Sequence, residues 1–277
     1  MMQLYLASLD AGTREVFGSL VYKSKYVLVS FWYMKKLKKR LIFDLMIERN
    51  KQDRLILDSG AFTFLNSNSK MDIDEYLDEY INFINKYDIK RFAELDIDPI
   101  IGYEKTMQMR DKLERETGKK CLPVWHKPRG LQAFKDDVDK YPYVSIGGIV
   151  TGEIKRKEFP MFKQLTRYAN ARGVKVHGLG FTGKDCYKYG FDSVDSSSWT
   201  SGGRYATTYK FKGNELKSIQ KPDNTRLKDH IAMDKHNFIE WIKFQRYVER
   251  FRLWCMKKAT VIKNYRRRLY DRIYIMQ

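Results

Sequence analysis

The chain has 277 residues, 43% hydrophobic and 31% charged, with 53 Lys and Arg against 34 Asp and Glu for a net charge of +19. That length buries a sizeable core, and no apolar run approaches the roughly 20 residues that span a bilayer, so a soluble globular protein is expected. So basic a balance points away from an enzyme of small metabolites and toward a polyanionic partner, nucleic acid above all.

Taken in order, Gln3 to Leu9 and Tyr26 to Tyr33 read as strands, rich in aromatic, β-branched and leucine residues. Lys35 to Arg49 carries Leu37, Leu41, Leu45 and Met46 at helical spacing. The run LILDSGAF, Leu55 to Phe62, is the organising stretch: unbroken apolar residues suit a strand covered on both faces, and it stops on Asp58 where Ser59-Gly60 must start a loop. An Asp there either caps the next helix or is presented to a site. Asp72 to Tyr87 follows as an amphipathic helix with Asp72 as its cap. Arg91 to Asp96 is a further strand ending on a carboxylate, before a helix over Glu104 to Glu116. Cys121 to His126, Tyr143 to Gly148, Lys175 to Gly180 and Phe191 to Asp195 complete the strands, with helices over Leu131 to Tyr141 and Lys157 to Arg172. Eight strands with helical material between them predict an α/β fold, a closed eight-stranded (β/α)8 TIM barrel.

After Trp199 a polar, glycine-bearing stretch predicts an exposed loop or hairpin, and from Lys228 onward Ile231, Phe238, Trp241, Phe244, Val248 and Phe251 recur at helical spacing. The expected organisation is a barrel domain over 1–227 and a basic helical extension over 228–277 that packs one face on the barrel. Residues 235–277 hold 12 Lys and Arg against 3 Asp and Glu, nearly half the net charge, and Lys35 to Arg40 is a second basic cluster. Lys35, Lys36, Arg204, Arg246, Arg250, Arg266, Arg267 and Arg268 are the candidate phosphate contacts, and a solvated helix face is the plain alternative for any one cluster. Cys121, Cys186 and Cys255 form no CxxC pair, and MMQLYLASLDAG has neither a positive leader nor a cleavage site. A reducing, cytoplasmic setting is expected, with no zinc-cysteine site.

At the carboxyl ends of these strands stand Asp58, Asp96, His126, Gly147, Gly148, His177, and Asp192 or Asp195. Clustered carboxylates do acid and base work, bind cations, or recognise NH-rich edges. Neither HxH nor HExxH spacing appears, so no metal is expected. Gly178 to Gly183, GLGFTG, fits GxGxxG but lacks a βαβ context, and reads better as a barrel phosphate loop.

Five stretches in register, LDSGAF (57–62), ELDID (94–98), SIGGIVTGE (145–153), HGLGFTG (177–183) and GFDSVDSSSW (190–199), resemble the barrel motifs of tRNA-guanine transglycosylases. The resemblance implies exchange of a guanine in a polynucleotide for a 7-deazaguanine, with no cofactor. It implies Asp58 as the catalytic Asp and Phe62 as the aromatic stacked on the base. Asp96 would read the guanine-like edge, Gly147 and Gly148 would give backbone contacts, and His126, Glu153 and His177 would join the base pocket. The nucleophile falls on Asp195 by the Gly-x-Asp-x-x-Asp pattern, or on Asp192 by its Phe-Asp dipeptide. Two departures matter: the tRNA enzymes' zinc site has no counterpart, and Ser-Ser-Ser-Trp replaces their Pro-Thr-Arg. The short, zinc-free plan is most similar to phage-type enzymes that modify DNA, in which case the setting is the host cytoplasm. DNA is the favoured substrate, tRNA the alternative, and a non-catalytic nucleic-acid-binding barrel the reading outside the class.

The residue types suit that chemistry. An aspartate attacking the anomeric carbon forms a glycosyl intermediate while a second carboxyl group manages protons, and a base must be flipped or single-stranded to reach such a pocket.

Overall fold

The computed structural model describes residues 2–11, 14–37, 40–65, 72–181, 186–220 and 229–250. Seven short strands, β1 (Gln3–Leu6), β2 (Val27–Ser30), β3 (Leu55–Asp58), β4 (Val124–Trp125), β5 (Tyr143–Ile146), β6 (Lys175–Gly178) and β7 (Ser193–Ser196), form one parallel sheet in the order β3-β2-β1-β7-β6-β5-β4. Parallel neighbours need crossovers, and helices over Arg40–Lys51, Ile73–Lys86, Tyr103–Thr117, Gly130–Lys140 and Pro160–Asn170 supply them.

Strand residues alternate between two buried settings, as the period of two requires. Leu4, Leu6, Val27, Val29, Leu55 and Leu57 join the main core with the helices. Tyr5, Ala7, Tyr26, Leu28 and Ile56 form a second cluster on the opposite, inner face. Asp58, two residues beyond Ile56, continues onto that inner face at the strand's carboxyl end. Asp195 is level with Tyr5, its register partner on β1.

The regular ladder stops short of the expected closed eight-stranded barrel. Edge strands β3 and β4 are spanned only by the isolated parallel bridges Leu57–Phe92 and Ala93–Leu122. Leu57 N–H donates to Arg91 C=O (3.0 Å), Ala93 N–H to Leu57 C=O (2.9 Å) and Leu122 N–H to Phe92 C=O (2.7 Å). The strand expected over Arg91 to Asp96 shrinks to this pair because the chain turns at once, Ile97 N–H donating to Leu95 C=O at 3.1 Å before the short helix Asp98–Ile101. The strand expected over Tyr26 to Tyr33 ends at Ser30, and Phe31–Met34 is helical, burying Phe31, Trp32 and Met34.

The polar stretch after Trp199 contains an antiparallel hairpin, β8 (Thr208–Lys212) and β9 (Glu215–Ile219). A helix over 230–250 docks on it and on the sheet. Asn237 and Glu240 accept the N–H groups of Tyr209 (2.8 Å) and Phe211 (2.7 Å), and Gln245 Nε2 donates to Leu4 C=O at 2.6 Å. Phe238, Trp241, Phe244 and Val248 are its buried stripe. Among the described residues no helix is long and apolar enough to cross a membrane.

Candidate functional site

A cavity of about 320 Å³ opens at the carboxyl ends of the strands, with Asp58, Asp96, His126, Gly148, Leu179 and Asp195 in its wall. Asp58 reaches it because β3 stays apolar to its last residue and Gly60 turns the chain at φ 71. A Cβ at Gly60 would meet Ser30 Oγ at 2.5 Å and Trp32 Cβ at 2.7 Å, so only glycine fits. The Gly60 N–H donates to Asp58 Oδ2 at 2.9 Å. Burial pushes the Asp58 carboxyl from 3.8 up to about 6 against that N–H, and the Asp195 and Asp96 carboxylates push the same way.

Asp195 is 6% exposed. Its Oδ1 accepts from Gly180 N–H at 2.6 Å and lies 3.2 Å from His177 Nε2. On the opposite wall Asp96 Oδ1 stands 2.7 Å from His126 Nε2, and His126 Nδ1 lies 3.1 Å from Glu153 Oε2. The Asp96–His126 contact is an ion pair, and neither Asp96 Oδ1 nor His126 Nε2 has another hydrogen-bond partner among the described residues. Burial opposes a charged imidazole, yet Asp96 and Glu153 override it and hold His126 up at about 9. Burial likewise raises the Asp96 carboxyl, with His126 opposing.

Behind this wall lies a buried charge network. Glu94, wholly buried, accepts from Arg110 Nη2 (3.0 Å), Arg129 Nη1 (3.1 Å) and Val124 N–H (2.7 Å). Arg110 also donates to Asp137 at 2.7 Å, and Arg129 forks onto Asp98 at 2.9 and 2.6 Å. Such bidentate pairs fix geometry, so Arg129, 3.9 Å from Asp96, anchors the segment that carries the wall carboxylate.

The remaining expected site residues divide. Gly148 lines the cavity, with φ 77 and no room for a Cβ beside Glu153. Gly147 is outside the lining, and a Cβ there would strike His126 Nε2 at 2.7 Å, so it makes room for the imidazole. Glu153 braces His126 and accepts Lys127 N–H at 2.8 Å instead of facing the cavity. His177 is completely buried beneath Asp195, which corrects its expected place in the base pocket. Asp192 is corrected too: it precedes β7 at the amino end, where its Oδ2 accepts Val176 N–H at 3.0 Å, far down the strand from the cavity rim. Phe62 lies in the helix Ala61–Leu65, its side chain outside the described residues, as are Thr182 and Gly183 of the glycine loop.

Of the basic residues, Lys35 is engaged, its Nζ 2.7 Å from Glu79 and 4.7 Å from the Tyr76 ring centre. Lys36 sits 3.5 Å over Trp32, in the wall of an open groove of about 570 Å³ that also holds Lys86. This larger groove has Glu79 as its one acid, already paired with Lys35, whereas the smaller cavity gathers Asp58, Asp96 and Asp195. Arg204, Arg246 and Arg250 are exposed, and 251–277, with Arg266, Arg267 and Arg268, lie outside the described residues.

Asp96, Asp98 and His126 each bring one atom within 4.8 Å of the others, a spacing a metal ion would suit. The donors are already engaged within the protein: Asp96 pairs with His126, whose Nδ1 faces Glu153, and the Arg129 fork occupies Asp98.

Sequence reasoning missed Asp10. Its Oδ2 accepts Ser30 N–H at 2.5 Å, and burial pushes it up to about 7, with Asp58 close enough to add to the rise. The signal was present, since LYLASLD is another apolar run that ends on a carboxylate. Neither the models of known protein families nor the curated proteins contain a match to this chain.

Proposed function

We propose that the protein is a base-exchange transglycosylase that replaces a guanine in a polynucleotide, DNA for preference, by a 7-deazaguanine. The observation that carries this reading is the pairing of two unlike carboxyl groups in one cavity. Asp58 titrates near about 6 and holds or releases a proton near neutrality; Asp195 is fixed by two donors through Oδ1. Divergent environments for paired carboxyls are the mark of acid–base and nucleophile roles. We also read the Phe92–Ala93 bridges as the eighth stave of a (β/α)8-type barrel, which puts the cavity at the usual catalytic face.

In this mechanism the Asp195 carboxylate attacks the anomeric carbon opposite the base, and the glycosidic bond breaks. Protonated Asp58 gives its proton to the departing guanine, leaving a glycosyl ester on Asp195. The incoming 7-deazaguanine loses its ring N–H proton to Asp58, and its nitrogen displaces Asp195 from the same carbon. The His126 imidazolium and Gly148 suit a carbonyl oxygen of the flipped base, and Asp96 suits its NH-bearing edge. The basic surface, with exposed Lys36, Arg204, Arg246 and Arg250, suits the phosphates.

The test is incubation with labelled guanine and either duplex DNA, single-stranded DNA or tRNA. Label entering DNA supports the reading; label entering tRNA alone moves the substrate to tRNA. Tight binding without label in any polymer leaves a non-catalytic nucleic-acid-binding barrel.

A further inference from the structure

We propose that His177 is the positioning residue that holds the Asp195 carboxylate in its attacking orientation, and that Ser193 and Tyr143 lock its imidazole in the one tautomer able to do so. The inference rests on the reading of Asp195 as nucleophile. His177 lies in β6, level with Ser193 on β7 and therefore two residues below Asp195. It has no exposure and no place in the cavity wall, so it touches no substrate.

Four side chains form a continuous line away from the cavity. His177 Nε2 is 3.2 Å from Asp195 Oδ1, His177 Nδ1 contacts Ser193 Oγ, and Ser193 Oγ contacts the Tyr143 hydroxyl. A carboxylate accepts and never donates, so Nε2 carries the proton toward Asp195, and in the tautomer assigned here Nδ1 accepts. Ser193 supplies that O–H, and its own oxygen takes the Tyr143 O–H. Burial pushes the Tyr143 hydroxyl up to about 12, so it keeps its proton at any working pH. The Tyr5 ring meets the imidazole edge-on with centres 6.0 Å apart, which blocks sideways movement. Gly180 N–H and His177 both engage Oδ1, so Oδ2 is the oxygen assigned to the attack.

The experiment compares His177→Phe, His177→Gln and Ser193→Ala with wild type, reading kcat and KM for base exchange, the rate of covalent adduct formation in a single turnover, and Tm. His177→Phe is expected to lower kcat and adduct formation by about 10²-fold with KM nearly unchanged, the cost of a nucleophile displaced by about 1 Å. His177→Gln, whose amide N–H reaches toward Asp195, should recover most of that loss. Ser193→Ala should fall between, because the imidazole is then able to take the other tautomer. A merely structural His177 predicts losses that track Tm, no rescue by Gln and no effect of Ser193→Ala, and that pattern overturns the proposal; so does a loss confined to KM. If His177→Phe does not fold, His177→Gln and Ser193→Ala still decide through the same kcat and KM split. Exchange by wild type with undiminished variants sinks this inference alone, whereas a wild type that exchanges no base sinks the parent reading and this one with it.

Discussion

Replacing Asp58 by Asn tests the electrostatics of the cavity without any substrate. The Asp58 carboxyl titrates at about 6 in the fold against 3.8 for an ordinary Asp, with burial as the main cause. Between those two values the folded protein holds a proton that the unfolded chain has released, so stability falls as pH rises through that window. At about 1.4 kcal/mol per unit the full displacement is about 3 kcal/mol, a ceiling because cavity water reaches part of the group. Asn is neutral at every pH and keeps an oxygen to accept the Gly60 N–H. The variant should therefore match or trail wild type at pH 4 and gain on it by up to about 3 kcal/mol by pH 7, while losing base exchange. Urea denaturation of both proteins at pH 4, 5, 6, 7 and 8 reads the difference directly. A stability difference that stays flat with pH, or that moves against the variant as pH rises, would refute the claim that Asp58 is forced to ionise in an unfavourable setting.

Asp195→Asn should abolish exchange with polynucleotide affinity intact, whereas Asp192→Asn should leave exchange near normal and cost about 1 kcal/mol of stability at the β6 edge it ties down; the opposite assignment of activities would reverse their roles. Exhaustive chelation should change neither Tm nor exchange, since Asp96 is paired with His126 and the Arg129 fork occupies Asp98 in the Asp96–Asp98–His126 cluster; a stoichiometric metal surviving purification would contradict that. Glu94→Ala should destabilise by about 3 kcal/mol in urea, because it removes the carboxylate that buried Arg110 and Arg129 share and leaves Asp137 and Asp98 to balance them. Neutralising exposed Arg246 and Arg250 together should lower the slope of log affinity against log salt by about 1.4–1.8, and superimposable salt series for wild type and double variant would remove that helix face from the interface.

Asp58 was legible because it closes an apolar run, and Asp96 and Asp195 because each closes a short strand segment; a strand covered on both faces has no other place to expose a charge than its end. Asp10 carries the same mark, but it lies four residues past the end of β1, beyond a left-handed Ser8 at φ 67, where strand logic no longer says which way a side chain turns. His177 was read at the right strand and the wrong level. Sequence alternation tells which face a residue takes, while the stagger between neighbouring strands, which sets His177 beside Ser193 and below Asp195, is a tertiary quantity. Phe31 to Met34 continued an apolar run that four residues cannot identify as strand or helix. The Glu94–Arg110–Asp137 network was illegible altogether: its members lie 16 and 27 residues apart, on a bridge segment and two separate helices.

That network also resolves an apparent conflict between a chain of net charge +19 and a cavity walled with acids. The acids of one wall are answered locally: Glu94 and Asp98 by Arg110 and Arg129, Asp96 by His126. Pairing of this kind fixes the geometry of the wall and offsets much of its negative charge, which suits the base recognition proposed for it. Asp58 has no such cation among the contacts described; the Gly60 N–H and the Ser30 hydroxyl are the neutral donors that favour its charged form. A carboxyl group buried without a counter-charge is driven toward its protonated form, and that is the form the proposed exchange asks of Asp58. The basic side chains in excess are left for the outer surface, where Lys36, Arg204, Arg246 and Arg250 stand exposed and a phosphate chain can be held without drawing repulsion from the acids below.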